Sequence, residues 1–139
     1  MTDTTPRITG GCLCGAIRYQ ATDAPRMAGY CFCADCRKAS GSGFMPFMGF
    51  AAEALRFTGE TRQHVTRSIR GSDAVRNFCP LCGGPVFGGV VGTDTSHTIY
   101  AGSLDDPSQF RPTIAIFARD RPDWVAMPAG LTVYETMPG

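Results

Sequence analysis

Seven cysteines, Cys12, Cys14, Cys31, Cys33, Cys36, Cys79 and Cys82, fall into three tight groups, and none stands alone. The groups are Gly11-Cys-Leu-Cys-Gly15, Cys31-Phe-Cys-Ala-Asp-Cys36 and Cys79-Pro-Leu-Cys-Gly-Gly84. Thiolate sulfurs hold a tetrahedral zinc at ~2.3 Å, which sets neighbouring sulfurs roughly 3.8 Å apart. Two cysteines separated by two residues reach that spacing in one tight turn; Pro80 starts such a turn, and Gly83 can take the positive φ that ends it. Two cysteines separated by one residue point to the same side of an extended chain, where a slight bend brings the sulfurs together.

Other chemistries explain less of the pattern. Disulfide pairing of an odd number of cysteines leaves one over. A thiol redox pair at Cys79 and Cys82 leaves five clustered cysteines without a role. Burial as small hydrophobes leaves the grouping itself unexplained. Soft thiolates select zinc, copper(I) or iron–sulfur clusters, and the long iron–sulfur spacings are absent, so zinc is the expected metal.

Seven ligands divide into four and three. Cys31, Cys33 and Cys36 can converge on one ion within six residues, leaving one position open. The pairs Cys12/Cys14 and Cys79/Cys82 then close a second, structural site across some 65 residues of chain. Two zinc ions per chain are expected. A histidine could instead complete the triplet: His64 and His97 both lie in strand-like stretches without a neighbouring ligand, and Asp35 lies within the triplet itself.

The elements that position these groups read as short strands. Residues 8–21 alternate around Ile17 and Tyr19 and read as a strand turning at Gly10-Gly11, with 26–31 as its partner. Residues 35–40 form a helical turn ended at Gly41. Phe44–Phe50 is apolar with Pro46 inside, which predicts an edge strand. Ala51–Arg56 is at most one or two helical turns. Further strands are expected near 62–69, 75–79, 85–91, 97–102 and 113–118, punctuated by Gly and Pro. The reading is a mainly β domain over residues 8–125, with residues 126–139 as a C-terminal extension packed on it. Phe44, Phe47, Phe50, Phe57, Phe87, Phe117 and Trp124 are expected in the core.

Thirteen basic and twelve acidic side chains leave a net charge of +1. A nucleic-acid partner is therefore not expected, and Arg18, Arg37, Lys38 and Arg76 read as solvated. No window approaches the ~20 apolar residues of a membrane helix, so no membrane partner is expected either. The first seven residues do not resemble a secretory signal, which points to a cytoplasmic protein with reduced thiols.

With these residues in view, the chain resembles the glutathione-dependent formaldehyde-activating enzyme family, which includes centromere protein V. The resemblance rests on Gly10-Gly-Cys-Leu-Cys-Gly-Ala-Ile-Arg-Tyr19, Cys31-Phe-Cys-Ala-Asp-Cys-Arg-Lys-Ala-Ser-Gly41, Phe78-Cys-Pro-Leu-Cys-Gly83 and Ala101-Gly-Ser-Leu-Asp-Asp-Pro107. It implies a β-tent fold of coiled antiparallel sheets clamped by zinc. It implies a structural zinc on Cys12, Cys14, Cys79 and Cys82 and a second on Cys31, Cys33 and Cys36. Phe32 stands where many relatives carry a histidine.

The activity implied is a carbon–sulfur lyase reaction run in reverse, joining a thiol such as glutathione to formaldehyde or a similar aldehyde. The open site over Cys31, Cys33 and Cys36 would carry the catalysis. A three-thiolate zinc is a weak Lewis acid that suits a fourth sulfur better than water. Arg37 and Lys38 could hold a substrate carboxylate, and Ser40 could donate to a bound thiol. The alternative is a non-enzymatic zinc-binding module that recognises a partner protein.

Overall fold

The computed structural model describes residues 7–68 and 71–138. The chain is mainly β, with eleven strands and one short α-helix among the described residues. In chain order these are β1 (Ile8–Gly11), β2 (Arg18–Ala21), β3 (Met27–Cys31), α1 (Ala34–Ser40), β4 (Met45–Ala51), β5 (Leu55–Thr58), β6 (Arg62–Arg67), β7 (Asp73–Phe78), β8 (Pro85–Gly88), β9 (Ser96–Tyr100), β10 (Ile114–Ile116) and β11 (Thr132–Val133). They build a three-stranded sheet, β1-β2-β5, and an eight-stranded sheet, β11-β10-β3-β4-β9-β8-β7-β6. Pairing is antiparallel except for β10, which runs parallel to both β3 and β11. No described helix is long and apolar enough to cross a membrane.

Alternation sorts the large sheet into two faces. Ala28, Met48, Phe50, Phe87 and Ile99 are buried with Ile8, Ile17, Tyr19, Ala21 and Leu55, so the small sheet packs on one face of the large one. Phe57 stacks on Phe87 at 4.0 Å between ring centroids within that layer. The intervening residues, Met27, Cys31, Met45, Phe47, Thr98 and Tyr100, face the other way and line a cavity. A second packing centre joins Phe32, Tyr30 and Phe44 to Val125 and Ala115.

Several expectations change here. Residues 8–21 are not one strand: the chain reverses after Cys12, with Gly15 at φ +84°, so β1 and β2 pair with each other in register Gly10↔Tyr19. The turn occupies residues 13–17, just beyond Gly10-Gly11. β3 does not join them; it lies in the large sheet between β10 and β4. The stretch containing Pro46 is an interior strand rather than an edge, because β4 pairs with β3 on one side and β9 on the other. Pairing with β9 begins only at Phe47, so Pro46 falls where β4 has a single neighbour, and its missing N–H is tolerated there. Residues 51–56 divide into a 3-10 turn at Ala52–Ala54 and the start of β5. The strand expected over 62–69 ends at Arg67, and Ile69 lies outside the described residues. Trp124 is exposed, not core; only its edge approaches Gly43.

Two polar ties fix the arrangement. Asn77, buried in β7, donates from Nδ2 to the carbonyls of Phe87 (3.1 Å) and Gly89 (2.8 Å). Its Oδ1 accepts from Thr61 Oγ1 and Gln63 Nε2, each at 3.2 Å. All four hydrogen-bonding positions of the amide are thus filled, joining β6, β7 and β8. At the other end, Asp105 accepts from both terminal nitrogens of Arg18 and from Thr9 Oγ1, pinning β1 and β2 to the loop after β9.

Asn77→Ala should lower stability by about 2–3 kcal/mol, since the buried carbonyl of Phe87 and the partly buried one of Gly89 lose their donor. A shift in the urea midpoint with unchanged slope would measure it. The Arg18 hydrogen bonds, then that of Thr9, hold the Asp105 carboxyl down to about 2 from its usual 3.8. A depressed carboxylate stabilises the fold above its unfolded-state pKa and loses that contribution as pH falls from about 3.8 towards about 2. Because the two side chains are 44% and 45% exposed, Asp105→Asn should cost under ~1 kcal/mol at pH 7. The difference from the parent chain should close by about pH 2.

Candidate metal centres

The first centre is built from two turns. Cys12 and Cys14 lie in the turn between β1 and β2, not in an extended strand. Cys12 N–H donates to the Ile17 carbonyl at 3.1 Å, and Gly15 N–H donates to the Cys12 carbonyl at 3.1 Å. Cys79 and Cys82 occupy the turn after β7. Pro80 follows the first cysteine, Gly83 takes φ +77°, and its N–H donates to the Cys79 carbonyl at 2.8 Å, as the spacing requires. The two turns meet. Cys14 Sγ lies 3.7 Å from Cys12 Sγ and 3.7 Å from Cys79 Sγ, although 65 residues separate Cys14 from Cys79.

The four sulfurs lie within 4.8 Å of one another, close to the ~3.8 Å edge of a zinc–thiolate tetrahedron. Backbone N–H groups also aim at them: Ile17 N–H at Cys12 Sγ (3.3 Å), Leu81 N–H at Cys79 Sγ (3.3 Å) and Gly84 N–H at Cys82 Sγ (3.4 Å). Such donors stabilise thiolates. Burial opposes ionisation of Cys12, but the Ile17 N–H and the neighbouring thiols bring it down to about 6. This donor set suits zinc.

The second centre sits where β3 hands over to α1. Cys31 is the last residue of β3, Cys33 caps the helix, and Cys36 lies in its first turn. Cys33 Sγ accepts the Cys36 N–H at 3.3 Å, so one thiol both caps the helix and faces its two partners. Gly41, at φ +67°, ends α1 in the left-handed conformation and donates its N–H to the Arg37 carbonyl. The three sulfurs lie within 4.8 Å of one another, and no other His, Cys or carboxylate among the described residues joins the set. Hydrogen bonding from Cys31 and Cys36 holds the Cys33 thiol down to about 2, while the same contact with Cys33 pushes Cys31 strongly up. The three thiols hydrogen-bond with one another through their protons, and Cys33 is the one these contacts favour most as thiolate. A soft divalent cation fits where those protons lie.

The triplet opens on the cavity of the large sheet, of about 460 Å3. Its walls include Met27, Met45, Phe47, Ile114 and Ile116, with Met137 and Pro138 of the C-terminal stretch.

The remaining candidates divide. His64 is exposed on β6. His97 is buried on the core face of β9 against Phe57 and Phe87, and its Nδ1 has no hydrogen-bond partner. Neither joins a cysteine group. Asp35 lines the cavity without entering the triplet. Phe32 turns away from the thiols into the aromatic cluster with Tyr30 and Phe44.

Arg37 and Lys38 do not line the cavity. Arg37 Nε donates to the Phe32 carbonyl at 3.2 Å, which ties α1 to the strand before it. Ser40 Oγ donates to the carbonyls of Arg37 (3.2 Å) and Phe44 (3.1 Å), so it is a helix-end brace. Among the described residues the cation lining the cavity is Arg76, from β7, and Tyr100 from β9 lines it as well. Arg76 had read as a solvated arginine. The available signal was strand alternation: Asn77 faces the core, so its neighbour must face the opposite side.

The family model for the glutathione-dependent formaldehyde-activating enzyme matches residues 7–120. No curated protein matches the chain. Among solved structures, a Rhodobacter sphaeroides protein determined by structural genomics is similar at 19% identity, with a TM-score of 0.51 over 70% of this chain and 87% of that one. That likeness concerns the fold alone. The family match spans most of the chain and includes all three cysteine groups, and the chain belongs to the glutathione-dependent formaldehyde-activating enzyme family.

Proposed function

We propose that the chain is a zinc-dependent enzyme of carbon–sulfur chemistry. It joins a thiol, such as glutathione, to formaldehyde or a similar small carbonyl compound. One observation carries the reading: three sulfur donors without a fourth beside them among the described residues, opening directly on a cavity. Cys12, Cys14, Cys79 and Cys82 would hold a closed, structural zinc, and Cys31, Cys33 and Cys36 a second with a free position.

The reaction is an addition. The thiol sulfur bonds to the carbonyl carbon, the π electrons of the C=O bond move to oxygen, and the proton lost by the thiol ends there. The product is an S-hydroxymethyl adduct or its homologue, and the reverse sequence releases the aldehyde. When bound, zinc supplies a soft Lewis-acidic position that favours a thiol as its thiolate at neutral pH. The chain's own part is to hold the three sulfurs on the junction of β3 and α1, where Cys33 cannot move without uncapping the helix. The apolar walls Met27, Met45 and Phe47 confine the two reactants beside them.

Elemental analysis should give two zinc ions per chain. In cobalt-substituted protein, adding glutathione should change the visible spectrum of one ion and leave the other unaltered. Cys33→Ser should abolish that change and keep the chain folded. Cys79→Ser should instead cost more than ~4 kcal/mol, the range reached when a metal site is lost. If the cobalt spectrum ignores thiols, or the two variants behave alike, the division between an open and a closed site is wrong.

A further inference from the structure

Two polar side chains stand beside the triplet on the cavity face of the large sheet. Tyr100 is only 8% exposed, yet its hydroxyl makes no hydrogen bond to the described protein. The other buried tyrosine differs: Tyr19 hydroxyl bonds Ser103 Oγ at 2.8 Å. The hydroxyl oxygen is not itself shut off from the cavity, so a ligand there can accept its proton. Arg76 donates from Nη1 to Thr66 Oγ1 at 3.0 Å, which fixes its head at the same wall. Arg76, Tyr100 and the three cysteines of the triplet line the same cavity.

Gly88 makes room between them. It pairs with Arg76 on β7 and with Thr98 on β9. A Cβ at Gly88 would lie 3.3 Å from the Tyr100 hydroxyl oxygen. The missing side chain leaves a gap on the sheet between the two polar groups. Burial pushes the Tyr100 phenol up to about 12, so it remains a donor across the neutral range. Met27, Met45, Phe47, Ile114 and Ile116 make one side of the wall apolar, while Asp35, Asp73, Asp94 and Thr98 also line the cavity.

We propose that Tyr100 donates its hydrogen bond to the carbonyl oxygen of the substrate, that Arg76 stabilises the negative charge this oxygen acquires, and that the carbonyl compound carries a small apolar substituent seated on the methionine and isoleucine wall. This rests on the thiol-addition reading and names its carbonyl half. As the sulfur–carbon bond forms, the π electrons pass to the oxygen held by Tyr100. That oxygen then takes the proton the thiol lost, and Tyr100 keeps its own.

The test uses zinc-loaded protein and two probes. Isobutyramide presents a carbonyl and a branched apolar group but does not add thiols, so its binding reports the carbonyl position alone. Exchange NMR of glutathione with isobutyraldehyde, or with formaldehyde, reports turnover. Tyr100→Phe should weaken isobutyramide by about 3- to 10-fold, as expected for one hydrogen bond. It should slow catalysed exchange about 100-fold, as for loss of one oxyanion donor. Zinc content and the thiol-induced cobalt spectrum should not change. Gly88→Ala, which keeps the hydroxyl but fills the gap, should weaken isobutyramide as well. Arg76→Met should slow exchange, and Arg76→Lys should restore part of the rate.

Isobutyramide binding equally well to the parent and Tyr100→Phe chains would overturn the assignment. So would a preference for formaldehyde over isobutyraldehyde of more than about tenfold, since an apolar seat should favour the larger compound. A parent protein that binds isobutyramide through Tyr100 while its cobalt spectrum ignores thiols would sink the thiol-addition reading and leave the carbonyl position standing.

Discussion

Crowded sulfur atoms cannot all be ionised unless positive charge lies among them. Cys14 approaches both Cys12 and Cys79 at 3.7 Å, a separation at which adjacent thiolates repel strongly in a partly dehydrated site. The fold nevertheless brings four together across 65 residues of chain and three more around one helix cap. Backbone N–H groups supply part of the compensation, and both groups could hold a divalent cation that would supply the rest. The turn between β1 and β2 and the turn after β7 bring the first cluster together, while the small sheet is held by the apolar core. The junction of β3 and α1 follows from satisfying the second.

Strand alternation then decides what each cluster looks out on. One face of the eight-stranded sheet is covered by the three-stranded sheet and filled with Phe50, Phe87, Met48 and Ile99. The opposite face carries the triplet, Tyr100, Arg76 and a wall of methionine and isoleucine. The same backbone thus serves as core on one side and as container on the other. Asn77 and Arg76 show the division at its sharpest: adjacent residues, one locking three strands together, the other placing a positive charge beside the thiols.

Both cysteine groupings and the mainly β class were legible because they depend on local spacing. Two residues between cysteines make a tight turn wherever the turn lies, and Gly41 and Gly83 mark turn ends by conformational freedom alone. Topology was less legible. Whether β3 pairs with β2 or β4 is a contest among distant partners, and alternation does not rank them. Pro46 pointed to an edge strand because a missing donor usually demands one, whereas here the staggered start of β9 provides an equivalent vacancy. Trp124 was assigned inward by its size, yet Val125 takes the buried position beside it. Arg76 and Tyr100 were the hardest to find, since neither lies near a cysteine in sequence and only the register of β7, β8 and β9 brings them to the triplet.

The two clusters differ in shelter. Cys14 is exposed, whereas Cys31 is buried. Cys14 is the one exposed cysteine among the seven and so the one an oxidant in solution meets most readily. Oxidation there would loosen the link between the N-terminal hairpin and the turn after β7.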